Sequence, residues 1–295
     1  MTGTDIAISV IIPTYCGGAI LKQCLAALTR QECERSYEVL CIDSGCSEND
    51  LTVMRDYGVR IHSIDKRSFN HGQTRDLGAE LALGDVLVYM NQDAVAADQH
   101  WLQNITTPFF TESPPAAVQG AMLEREDGTA PIRPFFWGTC GPRFYFTREV
   151  RHWLSHHPGP SLSTVSLALH REAWESLPFG WAPFMEDKKW QKCAMERGLR
   201  IIAAPTAKVF HSHNYTIRSL MNRCQNEGLG WRLLGERYTF GDMLSDFWVP
   251  TMWRELVLGL WCRRLKMSAA EILFPWLRPI FVWYGNRWLG DIKQD

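Results

Sequence analysis

Four short apolar runs in the first 90 residues, at 6–12, 37–42, 59–64 and 86–90, are separated by stretches with helical spacing of apolar side chains. An apolar run of four to eight residues bounded by turn formers reads as a buried strand. Strands that alternate with helices pair in parallel through right-handed crossovers. The pattern therefore predicts an α/β fold, doubly wound, with a mostly parallel central sheet. The first crossover carries Leu21, Cys24, Leu25 and Leu28 on one face, the second opens on Ser47 and Asn49, and the third spans 72–83.

Sheets of this kind bind ligands beyond the carboxyl ends of their strands. Pro13-Thr14-Tyr15, Asp43-Ser44-Gly45 and Asn91-Gln92-Asp93 occupy those ends. Asp93 there is either a turn former or a carboxylate that holds a divalent cation. The first turn, Tyr15-Cys16-Gly17-Gly18, is not a dinucleotide fingerprint, and no phosphate loop ending in Gly-Lys-Ser/Thr occurs. Dehydrogenase and nucleoside triphosphatase readings lose their support. Asp43, Asp93 and Arg75 instead suit a nucleoside diphosphate held with Mg²⁺ or Mn²⁺. The net charge of -1 argues against a nucleic-acid partner.

Further on, residues 101–110 read as a helix, 116–123 as a strand and 124–134 as turn-rich. Residues 155–163 form a Pro-Gly loop whose His156 and His157 are exposed or bind metal, and 164–169 is strand-like. Glu186 and Asp187 fall in the first turn of a helix carrying Trp190, Cys193 and Met195. Acids there either cap the helix dipole or, for a carboxylate kept ionised, accept a proton from a hydroxyl. Lys188 and Lys189 either maintain that ionisation or are solvated. Residues 200–210 read as two short strands around Pro205, leading to His211 and His213, which share a strand face. Both could approach one metal, one could ligate while the other contacts phosphate, or both could be surface histidines.

A long helical stretch with Leu220, Cys224, Leu229 and Leu233 precedes a break at Gly241. From Trp248 onward the chain holds six of its 13 Trp residues, with Arg254, Arg263, Arg264, Lys266, Arg278 and Arg287. Aromatics on one side and cations on the other suit a helix lying on an anionic membrane, and a packed cap or a homodimer contact suits the composition equally. Pro275, Arg278 and Pro279 interrupt the apolar stretches, so this region is expected not to span a bilayer. Nine Cys without zinc-type spacing read as buried free thiols. The start of the chain lacks a signal-type stretch, which makes a cytoplasmic location the expectation.

ISVIIPTY (8–15), IDSGCSEND (42–50), FNHGQTRDLGAELALGD (69–85), NQDA (91–94), FMEDKKW (184–190) and VFHSHNY (209–215) together resemble family 2 glycosyltransferases of the GT-A, Rossmann-like nucleotide-diphospho-sugar transferase fold. The FNHG-x-TR and QDA pieces are similar to the rhamnosyltransferase branch, which uses dTDP-L-rhamnose to build cell-surface polysaccharide. The resemblance implies that Pro13, Thr14, Tyr15, Asp43, Arg75, Asn91 and Gln92 hold the nucleotide-sugar donor. It implies Asp93 as the metal ligand at the D-x-D position, with His211, or His213 as fallback, completing the site, and Asp187 as the catalytic base beside Glu186. Asn91 departs from the usual first acid, and Asp76 from a common Asn after Arg75.

The activity implied is inverting, metal-assisted transfer of a sugar from dTDP-rhamnose, or from a UDP- or GDP-sugar, to a glycan or lipid-linked acceptor. It would take place at the inner face of the cytoplasmic membrane. A non-catalytic scaffold with the same fold is the alternative. Residues 1–240 are expected to form the transferase domain, with a nucleotide-binding half (1–98) and an acceptor-binding half (99–240). A C-terminal helical extension (241–295) follows.

Overall fold

The computed structural model describes residues 6–123, 125, 152, 153, 155–213, 215–250, 253, 256, 257 and 268–288. Strands β1 (Ile8–Thr14), β2 (Tyr37–Asp43), β3 (Arg60–Ser63) and β4 (Val86–Met90) lie parallel, with Val10 opposite both Val39 and Val88. β1 and β4 are buried almost throughout because helices cover both faces. α1 (Gly18–Leu28) buries Leu21, Cys24, Leu25 and Leu28, the stripe its spacing predicts. α2 (Glu48–Asp56) starts at Ser47, whose side chain accepts from Asp50 N, and α3 (His71–Leu81) starts at Asn70, whose side chain accepts from Gly72 N and Gln73 N.

The second half adds β5 (Val95–Ala96), α4 (Trp101–Thr106), β6 (Ala117–Leu123), β7 (Ser166–His170), α5 (Arg171–Ser176), α6 (Glu186–Glu196) and β8 (Ile201–Phe210). All eight strands form one sheet in the order β3-β2-β1-β4-β7-β6-β8-β5. β7 runs antiparallel between β4 and β6, so the sheet is mixed where the alternation alone predicts parallel pairing. The two short strands expected around Pro205 are one strand with a bulge. Ala204 sits opposite Gly120 and Lys208 opposite Ala121, which leaves Pro205, with no N–H to give, in the unpaired excursion.

Residues 155 and 156 are helical, not part of the expected loop. His157 is buried and stacked 3.8 Å from the Trp153 ring, correcting its placement at the surface. The turn-rich reading of 124–134 lies, apart from residue 125, outside the described residues, as do Cys140, Cys262, Trp261, Arg254, Arg263, Arg264 and Lys266. Cys24, Cys41 and Cys224 are buried free thiols, and burial pushes Cys41 up to about 12; Cys16, in the turn after β1, is exposed and Cys33, Cys46 and Cys193 are half-buried, which corrects the expectation for these four.

α7 (Ile217–Leu233), α8 (Phe240–Asp246) and α9 (Ala269–Trp288) follow. α9 lies close on α7: a Cβ on Gly228 would sit 2.1 Å from Val282 O, and one on Gly285 2.0 Å from Gln225 O. Only glycine permits that approach. Pro275 and Pro279 lie inside α9 without ending it. Arg278 does not belong to an exposed basic side; it is buried and paired with Glu227 at 2.6 Å. Among the described residues no helix is long and apolar enough to cross a membrane.

Candidate active site

The strand ends of the first half and the irregular segments of the second enclose a cleft of about 510 Å³. Pro13, Thr14 and Tyr15 line it from β1, Arg75 from α3, and Asn91, Gln92 and Asp93 from β4. Glu186 and Asp187 enter from the start of α6, and His211 and His213 from the end of β8. Eleven of the twelve side chains singled out by sequence therefore meet in one place. Asp43 does not line the cleft; its Oδ1 accepts from Gly45 N at 3.3 Å and Cys46 N at 2.9 Å, ordering the turn after β2. Gln92 is tied to Tyr15, accepting from its N at 2.9 Å and donating to its O at 2.8 Å.

Asp93, His211 and His213 form a cluster in which one donor atom from each lies within 4.8 Å of the others. His211 Nδ1 is 3.4 Å and His213 Nδ1 3.6 Å from the Asp93 carboxylate. Burial lowers both histidines below their ordinary range, His213 to about 4 with His211 adding to the effect. Both rings are thus neutral near pH 7, with lone pairs available. Among the described residues, buried His211 Nδ1 has no hydrogen-bond partner. One carboxylate and two neutral imidazoles fit a divalent cation while leaving positions open for further oxygen ligands.

Asp187 lines the same cleft. Its placement begins with Met185, whose φ of 55° is left-handed and turns the chain from the 177–184 segment into α6. That segment is held from the first half. The Asp76 carboxylate accepts from Trp174 Nε1 at 2.8 Å, Phe179 N at 3.0 Å and Gly180 N at 2.7 Å, and Asn70 Oδ1 accepts from Ala182 N at 3.0 Å. The departure at position 76 is thus a carboxylate with three donors of its own. Lys189 Nζ donates to Phe179 O and Trp181 O, and buried Lys188 Nζ donates to Ser161 Oγ at 2.7 Å and to Leu162 O. Neither lysine is merely solvated; both clamp the loops that carry α6.

Burial pushes the Asp187 carboxyl above its ordinary range, and Glu186 adds to this while Lys188 and Arg75 oppose it. A carboxylate so placed is a stronger base than an exposed one. Glu186 is 3.1 Å from Arg75 Nη1 and accepts from Thr164 Oγ1 at 3.0 Å.

Sequence reasoning gave no role to several lining residues. His71 lies between Phe69, 5.0 Å away edge-on, and Phe184, 6.3 Å away, and burial with the Arg75 charge lowers it to about 4. It stands inside the FNHG motif, yet nothing in its spacing marks it as a cleft residue. Arg223, Asn226 and Glu227 come from α7. Their helix is legible, but its orientation depends on packing against α9, which helical spacing cannot reveal.

The model of the family described as "Glycosyl transferase family 2" matches residues 9–167. The O-antigen chain rhamnosyltransferase RfbN of Salmonella typhimurium is 26% identical over 271 residues, covering 82% of this chain and 84% of that protein. WbaN of Salmonella anatum, of the same description, is 26% identical over 275 residues, covering 82% and 83%. Among solved structures, the mannosyltransferase PcManGT from Pyrobaculum calidifontis, in complex with GDP-Man and Mn²⁺, has a TM-score of 0.62 at 15% identity and covers 97% of this chain and 91% of that one. Glucosyl-3-phosphoglycerate synthase from Mycobacterium tuberculosis, with Mn²⁺, UDP-glucose and phosphoglyceric acid, has a TM-score of 0.58 at 17% identity, with coverage of 79% and 81%. At these identities the structures establish the shared GT-A fold.

Proposed function

This chain belongs to glycosyl transferase family 2, and on that premise we propose that it moves L-rhamnose from dTDP-L-rhamnose to an acceptor hydroxyl with inversion. The observation that carries the proposal is the convergence, in one cleft, of the Asp93, His211 and His213 cluster and Asp187. Pro13, Thr14, Tyr15 and Gln92, with the Asp43 turn beside them, hold the nucleoside. Arg75 and Asn91, bonded to each other, border the diphosphate position and act on it through the residues they hold. Asp93, His211 and His213 would hold Mn²⁺ or Mg²⁺, and the imidazole pair favours Mn²⁺. Bound there, the cation supplies positive charge against the departing diphosphate.

Asp187 accepts the proton of the acceptor hydroxyl as that oxygen attacks the anomeric carbon. The bond from that carbon to the diphosphate breaks in the same displacement, and the nucleoside diphosphate leaves with the electron pair. The acceptor we propose is a glycan or lipid-linked sugar, in keeping with the O-antigen description of the two relatives. Residues 1–98 act as the donor half and 99–240 as the acceptor half. The C-terminal region 241–295 would rest on the inner face of the cytoplasmic membrane or join two copies; Ile272, Leu273, Trp276, Ile280, Tyr284 and Trp288 are exposed apolar side chains of α9.

Calorimetry with dTDP-rhamnose, UDP-glucose and GDP-mannose, each with and without Mn²⁺, tests the reading. Metal-linked binding that is tightest for dTDP-rhamnose is expected. Tighter binding of a UDP- or GDP-sugar would replace the donor and keep the reaction, and no binding of any of the three would overturn the enzyme reading.

A further inference from the structure

Arg75 joins three parts of the cleft through its guanidinium. It is 3% exposed. Nη1 donates to His71 O at 2.9 Å and pairs with Glu186 Oε1 at 3.1 Å. Nη2 donates to Asn91 Oδ1 at 3.0 Å. One planar guanidinium thus spans three elements: the end of β4, the start of α3 and the start of α6. Asn91 is two residues from Asp93, and Glu186 is bonded directly to Asp187.

We propose that Arg75 is a positioning residue, which fixes the metal-side end of β4 against the base-bearing start of α6 through Asn91 and Glu186, and that this contact is why residue 91 is an amide. The proposal rests on the transferase reading of the cleft. A guanidinium fork has a fixed geometry, so two acceptors held by it are held relative to each other. A buried ion pair is tolerable when the charges balance, and Glu186 already balances Arg75. An aspartate at 91 would place a second carboxylate on the same guanidinium, in a cleft that also holds Asp93 and Asp187. Asn91 supplies the acceptor oxygen without the charge. Since that oxygen is directed at Arg75, the cation cluster consists of Asp93, His211 and His213, and an acid at 91 adds no ligand to it.

A double-variant cycle tests this. N91D and E186Q are each expected to lower donor turnover about tenfold or more, while N91D/E186Q, with one carboxylate again beside the guanidinium, exceeds both singles by about threefold or more. R75K keeps the charge and loses the fork; kcat is expected to fall about tenfold with the donor KM within about threefold. Losses that multiply in the double variant, N91D turning over like wild type with tighter Mn²⁺ binding, or R75K raising KM while kcat stands would each overturn the proposal. Melting temperatures of the same four proteins read the coupling without any reaction. A double variant melting above both singles supports it, and one melting at or below the lower single overturns it. Wild type that turns over no donor would sink the transferase reading alone, leaving the melting arm to decide the coupling.

Discussion

The two halves of the cleft are built by different means. In the first, Thr14 and Asn91 are delivered by strands whose register is fixed residue by residue, with Thr14 opposite Asp43 and Ile11 opposite Tyr89. In the second, Asp187 depends on a left-handed residue and a loop held by Asp76, more than 100 positions earlier in the chain than the loop's Phe179 and Gly180. A strand end is positioned by many equivalent bonds, so no single side chain carries it. A latched loop is positioned by a few, so losing one matters.

Removing a brace from each half breaks this comparison or sharpens it. Asp76→Ala strands three donors, the buried Trp174 Nε1 and Phe179 N–H and the half-buried Gly180 N–H. A stability loss of about 4 kcal/mol is expected by urea denaturation, with turnover falling further than the folded fraction accounts for. His71, at the seam between the halves, gives a pH signature. Its folded value of about 4 lies below the ordinary 6.5, so the unfolded chain takes up the proton first. Stability is therefore full above about pH 6.5 and declines by about 3 kcal/mol as pH falls toward 4, a slope that His71→Phe removes. Gln92→Ala removes two exposed bonds to the Tyr15 backbone, which the β1 ladder continues to hold. A stability loss of about 1 kcal/mol is expected. Equal losses in Asp76→Ala and Gln92→Ala would mean that the halves do not differ as described.

The same contrast explains what the sequence could disclose. Apolar runs and capping residues such as Ser47 act over four or five positions, so β1 to β4 and the helices between them were legible, and with them the site residues at strand ends. The antiparallel insertion of β7, the bulge at Pro205 and the burial of His157 against Trp153 depend on partners that periodicity cannot name. Lys188 and Lys189 illustrate the limit. Their charge is visible in the sequence, but their carbonyl and hydroxyl partners lie on loops 8 to 27 positions away. Asn91 is intelligible only beside Arg75.

Asp187→Asn, assayed for sugar transfer and for donor binding in the same preparation, tests the central claim most directly. Loss of a general base with the cleft intact predicts turnover lower by about 10³-fold and a donor Kd within about threefold of wild type. In the wild type, the raised Asp187 carboxyl places the acid limb of kcat/KM above the ordinary carboxylate range, because the base is protonated below its own pKa. Turnover within about tenfold of wild type in the variant would contradict the account, since the proton would then be leaving by another route.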